Sequence, residues 1–246
     1  MENTLLIGLS RQVTLTRKLD IIANNLANSR TAGYKAENPI FEEFLMPTAA
    51  INDLTGLDRH LSYVIDSGLA RDFTNGPIEM TGNDFDVAIS GNGWLVVETP
   101  AGERYTRNGE LTLNSDGELV TNQGLRVLGD AGPILFSPDE TDIVISGDGA
   151  ISSSEGLKGS LRVVEFENQG SMQKEGDSLY STDAAPRDAQ NFTITQGAIE
   201  RSNVRAVVET ARMIEVTRAY VSNAKMLEQL SEARRNAIRQ LSETPA

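Results

Sequence analysis

An α+β architecture is predicted by three features of the sequence: an amphipathic helical pattern at the N-terminus, a longer one at the C-terminus, and short apolar runs between glycine-rich turns in the middle. The two ends are expected to pair as one discontinuous coiled-coil module, residues 1–34 with 202–246. Residues 35–75 read as an extended connector and 76–201 as an all-β, hairpin-rich domain inserted between the helices.

The first helix is expected over roughly the first 28 residues. Steps of four and three select Leu5, Leu9, Gln12, Thr16, Leu19, Ala23 and Leu26, a mostly apolar seam that Leu6, Val13 and Ile22 widen. Asn28 is the expected stop, because Ser29 to Gly33 is turn chemistry. A lone helix of this length gains little from propensity and needs a partner for its stripe.

In the connector, Pro39, Pro47 and Gly56 interrupt any regular pattern, and Ile40–Leu45 suits a short helix or a strand equally. Beyond it, strands are predicted at Phe85–Ser90, Trp94–Thr99, Glu103–Thr106, Glu110–Leu113, Leu119–Thr121, Val127–Leu128, Ile143–Ile145, Leu161–Glu167, Leu179–Ser181 and Phe192–Thr195. Asn108-Gly109, Asp116-Gly117 and Asp148-Gly149 are the dipeptides that two-residue hairpins favour, since both central residues need positive φ.

The last helix is predicted from an N-cap at Ser202 or Asn203 to about Leu241, with 242–246 a fraying tail. Its polar line is thin, and Val204, Val207, Ala211, Ile214, Tyr220, Val221, Leu227 and Leu230 belong to an apolar face broader than one partner helix requires. A face that broad calls for several neighbours.

Charge follows the same division. The chain carries −13 overall; residues 1–35 hold five Lys/Arg against two Asp/Glu, residues 201–246 eight against five, and the middle nine against 28. An acidic middle repels nucleic acid, and no basic patch with interleaved aromatics is present. Aromatics are 5% of the residues, so the core is expected to be aliphatic. No run approaches the ~18 apolar residues of a membrane span, so no membrane insertion is expected. No signal peptide is visible, which by itself defaults to the cytoplasm, although export without a signal leaves no mark.

Chemistry-bearing patterns are sparse. There is no cysteine, hence no disulfide and no thiolate ligand or nucleophile, and His60 is the single histidine. Asp84 and Asp86 would share one face of a strand and could do acid–base work, but Phe85, Val87 and Ile89 filling the opposite, buried face are the stronger explanation. Asn114-Ser115-Asp116-Gly117 and Gly147-Asp148-Gly149 loosely resemble calcium loops but lack the terminal bidentate Glu, and hairpin turns account for both. Gly91-x-Gly93 lacks the remainder of a dinucleotide fingerprint. No catalytic, cofactor-binding or metal-binding residue is therefore expected, and no cofactor.

The most unusual local feature is Asn24-Asn25-Leu26-Ala27-Asn28 at the end of the first helix. Asn is a poor helix former, so three in five residues imply directed hydrogen bonding. Asn24 and Asn28 share a face and are expected to bond a neighbouring helix, fixing register together with Asn25.

Ile22 to Lys35, reading IANNLANSRTAGYK, closely resembles the signature of flagellar rod and hook proteins. Similar segments follow in family order: Arg71 to Gly76, Thr81 to Ile89, Gly91 to Trp94, Arg104 to Gly109, Gly117 to Thr121, Val127 to Gly129, Gln196 to Glu200, Ser202 to Val204, Met213-Ile214 and Arg218 to Tyr220. Arg201 stands where the family more often has Gly, and Ser29-Arg30 is an uncommon filler of its slot. Met1 to Gln12, the stretch His60 to Asp66 and the modest length look most like a proximal-rod member, with a distal-rod member the alternative.

The resemblance implies a non-catalytic axial subunit that leaves through the flagellar type III export apparatus without a cleaved signal and polymerises in the periplasm. Its partners would be copies of itself, the other proximal-rod proteins and the distal-rod protein. The terminal helices would form an inner coiled-coil layer with the β domain outside. Leu5, Leu9, Leu19, Asn24, Asn25, Leu26, Asn28 and Gly33, with the eight C-terminal apolar positions named above, are then the expected assembly interface. A peptidoglycan-directed enzyme and a calcium-dependent adhesion module are the remote alternatives.

Overall fold

The computed structural model describes the backbone of residues 2–47, 60–176 and 178–242, with side chains for 5–42, 67–176 and 178–240. The side chain of His60 and residues 243–246 of the expected tail lie outside the described residues, while Ser242 still belongs to a helix. The chain divides into two compact units, one drawn from 1–27, 37–70 and 205–246, the other from 28–36 and 71–204. A discontinuous helical unit interrupted by a β unit is the α+β arrangement the sequence predicts.

The helical unit contains α1 (Glu2–Ala27), α2 (Ala206–Ser242) and a two-stranded sheet of β1 (Glu37–Pro47) and β2 (His60–Arg71). The stretch read as a connector thus carries paired strands. The first strand is anchored to α1 by Asn25, whose Nδ2 donates to the Glu37 carbonyl at 2.8 Å while Glu37 N–H donates back to Oδ1 at 3.0 Å.

α1 and α2 run antiparallel. Gly8 meets Leu227, and Asn223 reaches both Gly8 and Gln12. Gly8 lets the helices approach closely: a Cβ there would lie 2.5 Å from Leu227 Cδ2, so Leu227 would have to shift. α2 starts later than expected. Neither Ser202 nor Asn203 caps it; the first helical hydrogen bond runs from Glu209 N–H to the Arg205 carbonyl at 3.0 Å. Asn203 is occupied elsewhere, its Oδ1 accepting from Ala36 N–H at 2.8 Å and its Nδ2 donating to the Asp72 carbonyl at 2.8 Å.

The β unit holds β3 (Ile78–Met80), β4 (Val87–Gly91), β5 (Trp94–Thr99), β6 (Gly102–Thr106), β7 (Leu111–Leu113), β8 (Leu119–Thr121), β9 (Arg126–Gly129), β10 (Gly132–Pro133), β11 (Val144–Ile145), β12 (Ala150–Ser153), β13 (Gly156–Ser160), β14 (Val163–Glu165), β15 (Gln173–Lys174), β16 (Leu179–Ser181), β17 (Arg187–Asp188), β18 (Phe192–Gln196) and β19 (Ala198–Glu200). The main sheet runs β15-β16-β6-β5-β9-β8-β7, with β14 also on β5. Smaller sheets pair β4 with β18, β3 with β19, and β11 through β13.

β5 explains how two cores arise from one strand. Alternate residues point to opposite faces, and both faces are covered. Leu95 and Val97 join a largely aliphatic cluster with Val87, Leu119, Val127 and Ile151. Trp94 and Val96 join a second cluster with Tyr105, Phe166, Met172 and Tyr180. That second core is aromatic, against expectation: the few aromatics are concentrated there, with Trp94 and Tyr180 edge-on at 5.0 Å and Tyr105 and Phe166 at 4.7 Å.

Two turn readings change. Asn108-Gly109 joins β6 to β7, which do not pair with each other; the Gly109 carbonyl instead accepts from Val87 N–H at 2.9 Å. Asp84 and Asp86 do not share a strand face, because the strand begins only at Val87. Asp86 is buried, taking Thr81 Oγ1 at 2.7 Å and Asn83 Nδ2 at 2.9 Å, while Asp84 is exposed in the turn.

Candidate assembly interface

The helical unit has two kinds of apolar surface. On α1 the buried line is Gly8, Leu15 and Ile22, with Leu5, Gln12, Leu19 and Leu26 half-buried between them. On α2 the inward line is Glu209, Met213, Val216, Tyr220, Asn223, Leu227 and Leu230. Both lines step by three and four, the spacing of a two-helix seam.

A second line, offset from the first, faces outward. On α1 it holds Leu6, Leu9 and Val13, the last 63% exposed. On α2 it holds Val207, Ala211, Ile214 and Val221, with Val207 85% exposed. The expected seam through 9, 16 and 23 therefore lies outside the pair, and the seam the chain closes on itself passes through 8, 15 and 22. The antiparallel register separates two stripes that helical periodicity alone merges.

Of the sixteen expected interface residues, Leu9, Val207, Ala211, Ile214 and Val221 are exposed apolar positions on outward faces. Leu5, Leu19, Leu26, Tyr220, Leu227 and Leu230 are half-buried in the helical unit. Asn25 is only 2% exposed and bonded to Glu37, so its amide works within the chain. Asn24 is exposed. Asn28 starts the turn after α1, its carbonyl accepting from Thr31 N–H at 3.2 Å. Val204 is half-buried, donating its N–H to Ser202 Oγ at 3.1 Å.

Register is set by a residue the sequence reading did not single out. Asn223 is buried on α2, and its Nδ2 donates to the Gly8 carbonyl at 2.9 Å and to Gln12 Oε1 at 2.7 Å. A polar residue inside an apolar seam fixes alignment because any slip leaves it unpaired. Its mark in the sequence is an Asn at an inward heptad position, which apolar periodicity alone does not select.

The second half of the signature, Gly33 to Lys35, forms a buried ionic knot in the β unit. Gly33, at φ +66°, lies against the Arg107–Asn108 peptide; a Cβ would sit 2.4 Å from it. Its N–H donates to the Glu200 carbonyl at 2.8 Å. Tyr34 is buried, with Lys174 Nζ 4.2 Å from its ring centroid. Lys35 Nζ donates to Glu200 Oε1 at 2.7 Å and to the Thr74 carbonyl at 2.9 Å.

Glu200 Oε1 also accepts from Gly76 N–H at 2.8 Å, and Arg107 approaches Oε2 at 3.4 Å. Two cations thus share one carboxylate. Arg107 spreads its charge over the carbonyls of Ile89 and Gly91 and the face of Trp94. Burial lowers the affinity of both Lys35 and Arg107 for their protons, against the opposing pull of Glu200.

The two departures from the family pattern meet. Arg201 holds Glu79 with Nε at 2.6 Å and Nη2 at 3.2 Å, and its Nη1 donates to the Arg30 carbonyl at 3.1 Å. A Gly at 201 could make none of these bonds. The calcium-like loop at Asn114 is a side-chain-closed turn: Asn114 Oδ1 accepts from both Asp116 and Glu118 N–H at 2.9 Å. Among the described residues no three His, Asp or Glu side chains gather as a metal site, and no helix is long and apolar enough to cross a membrane.

An antiparallel helix pair with apolar positions exposed on its outward faces, joined in sequence to a hairpin-rich β unit and offering no metal cluster among the described residues, is the architecture of a structural subunit. Three family models match the chain: the flagella basal body rod protein model over residues 5–35, the flagellar hook protein FlgE/F/G D1 domain over 88–153, and the flagellar basal body rod FlgEFG protein C-terminal over 195–240. The flagellar basal-body rod protein FlgF of Caulobacter vibrioides is 40% identical, with 98% of each chain covered. FlgF of Mesorhizobium japonicum is 32% identical over the same shares, and FlgG of Buchnera aphidicola 32% over 87% of this chain and 93% of its own. The chain belongs to the FlgE/F/G family of flagellar rod and hook proteins, and it is a structural subunit of the flagellar basal-body rod.

Proposed function

We propose that this subunit builds the proximal rod, self-assembling through the outward seams of α1 and α2 and transmitting torque along the axis. The observation that carries the assembly reading is the second heptad line, Leu6-Leu9-Val13 on α1 and Val207-Ala211-Ile214 on α2, left exposed although the first line is already closed. A helix hydrophobic on two sides needs a partner for each. The end-to-end match to FlgF supports the proximal level over the distal, FlgG-like alternative.

In this reading the chain has no catalytic step. Its partners are copies of itself, the other proximal-rod proteins and the distal-rod protein FlgG. It reaches the periplasm through the flagellar type III export apparatus without a cleaved signal. The test is to image basal bodies from a strain lacking the gene. The proximal-rod reading predicts loss of every axial structure beyond that level; basal bodies retaining a complete rod would overturn it.

A further inference from the structure

A pocket of about 530 Å³ opens in the β unit between the turn before β4, the β7–β8 turn and the segment leading into β11. Phe85, Phe136 and Ile143 give it apolar walls, the two phenylalanines edge-on at 5.9 Å. Its charge is of one sign: Asp84, Glu140 and Asp142 line it, and among the described residues no lysine, arginine or histidine does. The three carboxylates do not gather as a metal site.

Glu140 calls for a donor from outside. Its side chain is fully buried, and Oε1 accepts from Lys158 Nζ at 2.5 Å and from Ser137 N–H at 2.7 Å. Oε2 is buried with no hydrogen-bond partner. A buried acceptor left unmade is costly, and here it lies among apolar walls and two further carboxylates. The arrangement suits an ammonium better than a guanidinium. An arginine fork engages both oxygens of one carboxylate, and Lys158 already holds one. A lysine brings an aliphatic stem for the phenylalanine walls and a compact head with three donors.

We propose that this pocket receives a lysine side chain presented by a different protein of the basal body, its ammonium donating to Glu140 Oε2 while exposed Asp84 and Asp142 add charge. This chain is a poor source of that lysine. Of its five lysines, Lys18 lies over Phe41, Lys174 lies over Tyr34, and Lys35 and Lys158 are in ion pairs, which leaves Lys225 on α2. The middle of the chain, with nine basic residues against 28 acidic, also repels its own copy. The proposal rests on the axial-subunit reading and adds to it a partner contact made by the β unit.

A carbodiimide joins a carboxylate to an amine only where the two touch, so it reads this contact in isolated basal bodies. The expected product links Asp84 or Asp142 to a lysine of another protein, mapped by peptide mass spectrometry. Its yield per recovered chain should fall at least tenfold with Ser115→Trp, which fills the pocket from an exposed position and leaves every carboxylate in place. Glu140→Gln, which removes the buried charge and leaves Asp84 and Asp142 reactive, should lower it at least threefold. Basal bodies that contain the chain but lack this link overturn the docking and leave the axial reading standing. So does a yield that either variant leaves unmoved, or a link to a lysine of a second copy of this chain. If the natural chain itself is missing from basal bodies, the axial reading fails and the docking with it.

Discussion

The two units solve the burial problem in opposite ways. The β unit covers both faces of its central strand, so Trp94, Leu95, Val96 and Val97 are all buried, although Met80, Leu135 and Leu157 stay exposed elsewhere in the unit. The helical unit closes one seam and leaves Leu9, Val13, Val207 and Ile214 half exposed or more. A strand sheathed on both sides makes a stable solitary fold. A helix pair with a second apolar line leaves surface for neighbours, and under the proposed function the difference separates positions that stabilise the subunit from positions that would join it to others.

Substitutions should sharpen that separation in a definite order. Glu200→Ala removes the carboxylate shared by Lys35 and Arg107 and leaves two buried cations, so it should cost the β unit about 3–5 kcal/mol in denaturant unfolding. Gly33→Ala adds a Cβ against the Arg107 peptide at positive φ, for about 2–4 kcal/mol in the same measurement. Asn223→Ala withdraws the donor from Gly8 and Gln12 within the seam, costing about 1–3 kcal/mol; it should lower helix content by circular dichroism while the β unit's unfolding midpoint stays fixed. Val207→Asp and Leu9→Asp should change monomer stability by less than about 0.5 kcal/mol yet abolish incorporation into basal bodies and swimming. An Asp at Val207 that still swims would contradict the assembly role of that seam.

Much of the fold was legible in the sequence. The strands at Trp94–Thr99, Leu119–Thr121 and Leu179–Ser181 follow from their apolar pattern and flanking turns. Short strands such as Gly156–Ser160 and Gly132–Pro133 escaped, because glycine and proline carry no β signal and pairing alone places them. The helices were legible as amphipathic, but their inward line was not. Choosing between the lines through Leu9 and Gly8 depends on the antiparallel register, which Asn223 and Gly8 set across more than 200 residues of sequence. The signature divided in a way composition does not reveal: Asn25 works on β1, and Gly33 to Lys35 on the ionic knot.

Hydrogen exchange of the full chain, dilute and in isolated basal bodies, tests the account most directly. A helix pair that buries a single seam is marginal alone. In the dilute monomer the amides of the β unit should therefore be strongly protected and those of α1 and α2 should exchange fast. In the rod, the α1 and α2 amides should become protected at least a hundredfold while the β unit changes little. Helical amides as well protected in the dilute monomer as in the rod would contradict the claim that these helices wait for neighbours.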